Sequence, residues 1–121
     1  MNLRRKGLRF EDLARDYLER RGLSVLAQNF HGRRGEIDLI MRDSERICFV
    51  EVKYRKSAAY GGAANALTTA KRRRIVETAL YYLATHASHA HLAPRFDAVL
   101  IQRQPDGGEA IEWIRNAFYA E

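Results

Sequence analysis

Four charged side chains on two predicted β-strands carry the chemistry that this sequence offers. Segments 36–42 and 47–54 are rich in β-branched and apolar residues and flank the polar segment 43–46, a pattern typical of a β-hairpin. With the turn centred between residues 44 and 45, opposed residues of the two strands point to the same side of the sheet. The charged residues that this register gathers on one side are Glu36, Asp38, Glu51 and Lys53.

In this register Asp38 lies directly opposite Glu51, and Glu36 lies opposite Lys53. Two opposed carboxylates repel each other, and a divalent cation would offset their charge. Ligation by hard oxygen atoms favours Mg²⁺ or Mn²⁺ over zinc. Lys53 would bring an ammonium group beside the metal, where it can orient an attacking water or stabilise charge on a phosphate. The alternative is a surface hairpin with a Glu36–Lys53 salt bridge, which contributes little.

The opposite side of the predicted hairpin is apolar throughout and should pack on the core. Its members are Ile37, Leu39, Met41, Cys48, Val50 and Val52. Because a slip of one residue would move the apolar set of one strand to the charged side, the pattern itself supports the register. Cys48 is the single cysteine, and without an activating neighbour it is predicted to be a small buried hydrophobe rather than a nucleophile.

The chain carries GEIDLI at residues 35–40 and FVEVKYR at residues 49–55. This pair of strings resembles the YraN-like family of small bacterial proteins. Its core, Asp38 followed by Glu51-Val52-Lys53, is similar to the motif of the PD-(D/E)XK nuclease superfamily. The resemblance covers nearly the whole chain and implies a restriction-endonuclease-like fold, related to that of archaeal Holliday-junction resolvases. It also implies metal-dependent cleavage of DNA that leaves a 5′-phosphate.

The same resemblance implies roles for individual residues. Asp38 and Glu51 would hold one or two Mg²⁺ or Mn²⁺ ions, and Lys53 would position the hydrolytic water. In related nucleases a glutamate on the first helix reaches the metal, and Glu11 matches that position. From the residues alone, Glu11 is equally well a charge at the boundary of the helix's apolar stripe. Glu36 is the other candidate to assist at the metal.

Basic residues dominate the charge of the chain, with a net charge of +6 and a pI near 9.8. This balance favours a polyanionic partner, nucleic acid before an anionic membrane surface, and the resemblance favours DNA over RNA. The run 71–74 opens a helix with cations, which oppose the helix dipole and suggest phosphate contact, although a solvated surface is the alternative. His31 stands where the family commonly has arginine, so a contact there would depend on pH. The residues predicted to bind nucleic acid are Arg33, Arg34, Arg55, Lys71 and Arg72.

The remaining segments supply the elements that hold these residues. The predicted helices span residues 3–21, ended by Gly22, and from Thr68, Thr69 or a point near Ala63 to about Thr85. The predicted strands besides the hairpin are an edge strand at 23–30, a strand at 95–102 and a short strand at 110–114. Segment 56–65, which contains a glycine pair, is predicted to form a loop over the mouth of the site.

Three further features have both a structural and a functional interpretation. His86, His89 and His91 are predicted to end the second helix, since no cysteine or carboxylate nearby would complete a zinc site. Asp97, within a strand, is predicted to support the sheet edge rather than the site. The aromatic residues of segment 116–119 are predicted to dock on the core.

These observations predict one domain over residues 1–121 with an α/β fold, a mixed sheet flanked by helices in the order α-β-β-β-α-β-β. The sequence has no apolar run of about 18 residues and no secretory signal, which predicts a cytoplasmic protein without a membrane partner. By analogy with resolvases we expect a homodimer. The favoured function is a metal-dependent endonuclease acting on DNA, including branched or recombination intermediates. The alternative is a non-catalytic module that keeps the fold and binds DNA, or RNA and the ribosome.

Overall fold

The computed structural model describes residues 3–55 and 67–120, with side chains from Phe10 onward. Its helices are α1 (Leu3–Glu19) and α2 (Thr69–Thr85), with a short 3₁₀ helix at Ala87–His89. Its strands are β1 (Ser24–His31), β2 (Glu36–Asp43), β3 (Arg46–Arg55), β4 (Ala93–Arg103) and β5 (Glu109–Phe118). This order confirms the predicted succession α-β-β-β-α-β-β. The predicted loop over residues 56–65 lies outside the described residues.

The five strands form one mixed sheet in the order β1-β2-β3-β4-β5. Neighbouring strands are antiparallel, except that β3 and β4 are parallel. A parallel pair needs a crossover connection, and α2 lies between β3 and β4 in the chain. The mixed sheet and the edge position of β1 are as predicted.

Helices cover both faces of the sheet, because side chains alternate along strands that are apolar on both sides. The face that packs with α1 is built from Leu39, Met41, Cys48, Val50, Val99 and Ile101. The face that packs with α2 is built from Ile40, Ile47, Phe49, Phe96, Ala98 and Leu100. The predicted apolar side of the hairpin therefore lies under α1.

Ile37 is the exception, since it packs in the cluster under α2 rather than with Leu39. The sequence-based placement of Ile37 was wrong because the alternation of β2 is interrupted at Asp38, where β2 separates from β3. Cys48 is fully buried, as predicted. Burial and the nearby Asp97 carboxylate raise the pKa of its thiol to about 12, so the thiolate that a nucleophile needs does not form near neutral pH.

Local signals end the helices where the sequence indicated. Gly22 follows α1 with φ +96°, a left-handed conformation that glycine adopts without steric cost. The Thr68 hydroxyl accepts a hydrogen bond from the Lys71 N–H at 3.2 Å and caps α2. His86 follows the last residue of α2 and stacks on Tyr82, with ring centroids 3.9 Å apart. The histidine cluster is thus a helix end, as predicted.

Strand β5 continues to Phe118, four residues beyond the predicted end at Ile114. Phe118 is buried against Phe96, which confirms that the end of the chain docks an aromatic ring on the core. Tyr119 was also expected to dock there, and this was wrong, because its side chain is 72% exposed.

Candidate functional site

The β2–β3 hairpin opens at the end where the charged residues lie. Its turn at Ser44 and Glu45 and its pairs from Asp43–Arg46 to Leu39–Val50 have the predicted register. The ladder stops there, so the predicted Asp38–Glu51 and Glu36–Lys53 pairs do not continue it. Instead, the Val52 N–H donates to Asp38 Oδ2 at 2.8 Å. A side chain thus takes the place of a backbone partner and holds Asp38 beside β3.

Glu51 is buried between two lysines from different elements. Its Oε1 lies 2.9 Å from Lys71 Nζ, on α2, and 3.3 Å from Lys53 Nζ, on β3. Thr68 caps the turn of α2 that carries Lys71, which fixes the direction from which this second ammonium group arrives. Two cations on one carboxylate oxygen make Glu51 the centre of the cluster.

The two lysines do not share the positive charge equally. Burial, together with the charge and hydrogen bond of Lys71, lowers the pKa of Lys53. Burial alone would lower the pKa of Lys71 as well, but its contacts with Lys53 and Glu51 and the charges of Glu51 and Asp38 raise it. Of the two lysines, Lys53 therefore loses its proton more easily than Lys71. A lowered lysine pKa in a cluster of opposite charges is typical of functional sites.

Asp38 lies in an excess of negative charge. Burial, followed by the charge of Glu51, raises the pKa of Asp38 from 3.8 to about 7, and the charges of Glu11 and Glu36 add to the effect. The hydrogen bond from the Val52 N–H opposes the rise without cancelling it. At neutral pH, the carboxyl group is thus poised between its two protonation states.

Glu11 reaches this group from α1. Its charge contributes to the raised pKa of Asp38, and burial raises the pKa of Glu11 itself, against the effect of the Asn29 and Gln28 side chains. Its Oε2 is buried and has no hydrogen-bond partner among the described residues. An unpaired buried carboxylate oxygen costs free energy, which a ligand at this position would offset.

Carboxylate oxygens, the donor type that hard divalent cations prefer, face this end of the hairpin. Asp38, Glu51 and Glu11 supply carboxylate oxygens from β2, β3 and α1, and Glu11 Oε2 lacks another partner within the described part of the chain. Over residues 10–55 and 67–120, no three carboxylate, histidine or cysteine groups are already gathered as a ligand shell. The two lysines hold Glu51 instead, so a cation would have to displace at least one of them.

Comparison with known proteins places this arrangement in a family. A model described as "Uncharacterised protein family UPF0102" matches residues 10–101, more than half of the chain. The chain belongs to this family. UPF0102, the YraN-like family, falls in the PD-(D/E)XK nuclease-like superfamily, as the motif in β2 and β3 indicated.

Relatives in this family match over almost their full length. The UPF0102 protein of Vibrio campbellii is 47% identical over 115 residues, which cover 94% of this chain and 92% of the relative. The UPF0102 protein of Nitrosomonas europaea is 46% identical over 113 residues, which cover 93% of this chain and 92% of the relative. The UPF0102 protein of Alcanivorax borkumensis is 43% identical over 113 residues, which cover 92% of this chain and 89% of the relative. None of these names states an activity.

Glu36 lies at the exposed side of the carboxylate cluster formed by Asp38, Glu51 and Glu11. It pairs with His31 across β1 and β2, with Glu36 Oε2 3.5 Å from His31 Nδ1, and both side chains are exposed. Its charge acts on Asp38 and Glu11. The salt bridge that was the alternative interpretation of the hairpin is replaced, because Lys53 pairs with Glu51 instead.

The predicted basic residues divide between two places. Lys71 lies in the carboxylate cluster, and Arg55 ends β3 with a buried Nε that has no partner among the described residues. Arg33 and Arg34 lie against the middle of α2, where they line a cavity with Thr78 and Tyr81. Arg72 lies over Phe118, with its guanidinium carbon 5.7 Å from the ring centroid.

A second carboxylate cluster has a different character. Asp97 is fully buried and accepts hydrogen bonds from Arg95, from the Trp113 Nε1–H at 3.0 Å and from the Asn116 N–H at 3.1 Å. Arg95 also binds Asp43 at 3.0 Å. Because Asp97 has its own cation and further donors, its charge is matched within the fold. The predicted position at the edge of the sheet was wrong, since β4 lies between β3 and β5.

Sequence reasoning missed the contribution of β1 to the site. Asn29 has φ 55°, a left-handed conformation inside a strand, and its side chain acts on Glu11. Asparagine tolerates this conformation better than most residues. Asparagine within a β-strand was the available signal, but nothing in the sequence connects it to Glu11.

Proposed function

We propose that this protein is a metal-dependent nuclease that acts on DNA through the cluster formed by Asp38, Glu51, Lys53 and Glu11. The observation that carries the proposal is the grouping of Asp38, Glu51 and two lysines from β2, β3 and α2 at the end of the hairpin, with the charge of Glu11 on α1 acting on Asp38. Membership of UPF0102 and its nuclease-like superfamily supports it. The net charge of +6 favours a polyanionic substrate.

Each residue has a role that its position supports. Asp38, Glu51 and Glu11 would hold Mg²⁺ or Mn²⁺, which when bound stabilises charge on the attacking and leaving oxygens of a phosphodiester. Lys53 Nζ would orient the attacking water and donate to a phosphate oxygen. Lys71 Nζ holds Glu51 in place and would neutralise the approaching phosphate. The Val52 N–H keeps Asp38 in position throughout.

The test is a cleavage assay on single-stranded, duplex, flap and four-way-junction DNA with Mg²⁺, Mn²⁺ or EDTA. We expect metal-dependent cutting that falls at least about a hundredfold in Asp38→Asn and Lys53→Ala, as when one preorganised charged group is removed. Asp16→Asn is the matched control, since Asp16 is exposed on α1 and pairs only at the surface with Arg20. Cutting that survives in Asp38→Asn would contradict the proposal.

One observation favours a second candidate, a non-catalytic module that binds DNA or RNA. Both lysines already neutralise Glu51, so the cluster can persist as an ion-pair network without a metal. This candidate predicts binding that is equal in EDTA and Mg²⁺, with no cutting of any substrate in the panel. Matched DNA and RNA strands would then identify the preferred nucleic acid, because only RNA offers a 2′-hydroxyl.

A further inference from the structure

The outer face of α2 is mostly exposed to solvent, although its Val76 also packs against the core. Arg73, Val76, Glu77, Leu80 and Tyr81 follow helical spacing along one side of this helix. Leu80 is 62% exposed and Tyr81 is 39% exposed, and with Tyr119 they are the exposed large hydrophobic residues of the described chain. Such a concentration on one face indicates a binding surface.

Two cavities flank this face and meet at Glu77. The first has a volume of about 660 Å³, and the second has about 220 Å³. The first lies between α2 and the end of β5 and includes Arg72, Arg73, Phe118 and Tyr119. The second lies between α2 and the loop after β1 and includes Arg33, Arg34 and Tyr81. Glu77 lines both, so the two cavities adjoin at this residue, and we call them together the α2 groove.

Cations and aromatic rings alternate along the α2 groove. The Arg33 guanidinium lies 6.0 Å from the centre of the Tyr81 ring, and Arg72 lies over Phe118 at 5.7 Å. Four arginines against Glu77 leave the groove strongly positive. A second copy of this chain, itself at +6, would bring like charge to this surface.

The loop after β1, residues 32–35, carries Arg33 and Arg34, and its two glycines let it lie close to α2. A Cβ on Gly32 would lie 2.9 Å from Thr78 Cγ2, and a Cβ on Gly35 would lie 3.3 Å from Thr78 Oγ1. The Gly32 N–H also donates to the Gly35 carbonyl at 2.8 Å. The loop can therefore approach α2 closely only without these side chains, which fixes Arg33 and Arg34 beside Tyr81.

We propose that the α2 groove binds an unpaired nucleic-acid strand, whose bases stack on Tyr81 and Tyr119 and whose phosphates contact the four arginines. Exposed aromatic rings interleaved with cations are the recognition chemistry of single strands, since every base offers a face to stack and every linkage a charge. Paired bases have no free face, so a duplex would use the arginines alone. The inference rests on the proposed function, because it assigns that site a substrate with an unpaired segment.

The groove adjoins the carboxylate cluster through α2. Lys71 contacts Glu51, and the next residue, Arg72, lines the groove. A strand that leaves the groove past the first turn of α2 would thus meet the cluster. DNA with a single-stranded arm satisfies both surfaces.

The test measures binding by fluorescence anisotropy in EDTA, with a labelled single strand of DNA, its RNA equivalent and a duplex of the same length. We expect Tyr119→Ala and Tyr81→Ala each to weaken binding of the single strand by about fivefold or more, with less than a twofold change for the duplex. Tyr81→Phe should bind as the parent protein does, because stacking needs the ring and not the hydroxyl. Glu77→Gln should tighten binding of both nucleic acids.

The controls lie away from the groove. Arg20→Ala removes an exposed arginine in the turn directly after α1, and Glu45→Gln removes an exposed carboxylate in the β2–β3 turn. Both variants should bind as the parent protein does. Comparing the affinities for the DNA and RNA single strands shows which one is preferred. Equal losses on single strand and duplex, or no loss in either tyrosine variant, would overturn the inference.

Failure of this inference is distinguishable from failure of the proposed function. Tyr81 and Tyr119 line the groove and not the carboxylate cluster, and binding is measured in EDTA, so the binding result does not depend on whether the parent protein cuts. If single-strand binding depends on the tyrosines but no substrate is cut, the inference about the groove stands and the proposed nuclease function is refuted. If DNA is cut but binding does not depend on the tyrosines, the nuclease function stands and the inference about the groove is refuted.

Discussion

Replacing Asp38 with asparagine should make the metal-free protein more stable at pH 8. Asparagine keeps an oxygen that can accept the hydrogen bond from the Val52 N–H but carries no charge into the carboxylate cluster. The pKa of Asp38 rises from 3.8 to about 7 on folding. At about 1.4 kcal/mol for each pH unit, ionised Asp38 costs about 4 kcal/mol of stability, which the substitution removes.

The sign of the effect sets its pH dependence. Between pH 4 and pH 7 the folded protein binds a proton at Asp38 that the unfolded chain has released, so stability falls as pH rises through this window. Below pH 4 both states hold the proton, and the penalty vanishes. The stability difference between Asp38→Asn and the parent protein should thus grow from near zero at pH 4 to its full value above pH 7.

Urea unfolding at several pH values, in EDTA, measures this difference. Asp97→Asn is the matched comparison, since the same change in a fully buried aspartate with its own cation and further donors should destabilise by about 3–5 kcal/mol. Adding Mg²⁺ at pH 8 should stabilise the parent protein and leave Asp38→Asn unchanged. If Asp38→Asn instead loses stability at every pH, as Asp97→Asn should, then Asp38 is a structural acceptor and the reasoning fails.

Two further substitutions test the surroundings of the cluster. Lys71→Ala removes the ammonium group 2.9 Å from Glu51 Oε1; since a hydrogen bond to a charged group contributes about 1.5–3 kcal/mol, Mn²⁺ should bind about tenfold more tightly by calorimetry. Weaker binding in Lys71→Ala than in the control Arg73→Ala would contradict competition between lysine and metal. Gly32→Ala should cost about 1–3 kcal/mol in thermal unfolding, because the new Cβ meets Thr78 Cγ2 at 2.9 Å. Adding Thr78→Ser should recover part of this loss, and a loss that stays unchanged would place the strain elsewhere.

The hairpin could be predicted from the sequence because its information is local. Apolar alternation and a polar turn set the register that the structure has from Leu39 to Asp43. The same pattern failed one residue further on, at Asp38, where a side chain takes over a backbone partner. Periodicity describes a regular strand and cannot show where the strand departs from its neighbour.

The partners of the site could not be predicted, because they arrive from distant parts of the chain. Lys71 was expected to contact phosphate, and its ion pair with Glu51 depends on how α2 crosses the sheet. The run of four cations behaves as helical geometry requires, since Lys71 and Arg72 point to different surfaces. Tyr119 was predicted to dock on the core, but β5 ends at Phe118 and leaves it in solvent.

Two aspartates of the sheet, the partly buried Asp38 and the fully buried Asp97, differ in the partners that surround their charge. Asp97 has an arginine, an indole and a backbone N–H around it, so its charge is matched within the fold. Asp38 has one backbone N–H, the charge of Lys71 and three carboxylates in its surroundings, and its raised pKa shows that burial and the carboxylates outweigh the favourable contacts. A fold that needed only stability would gain by losing the Asp38 charge. Its presence, within the electrostatic influence of Glu11, whose Oε2 has no partner among the described residues, is what the proposed metal site would account for.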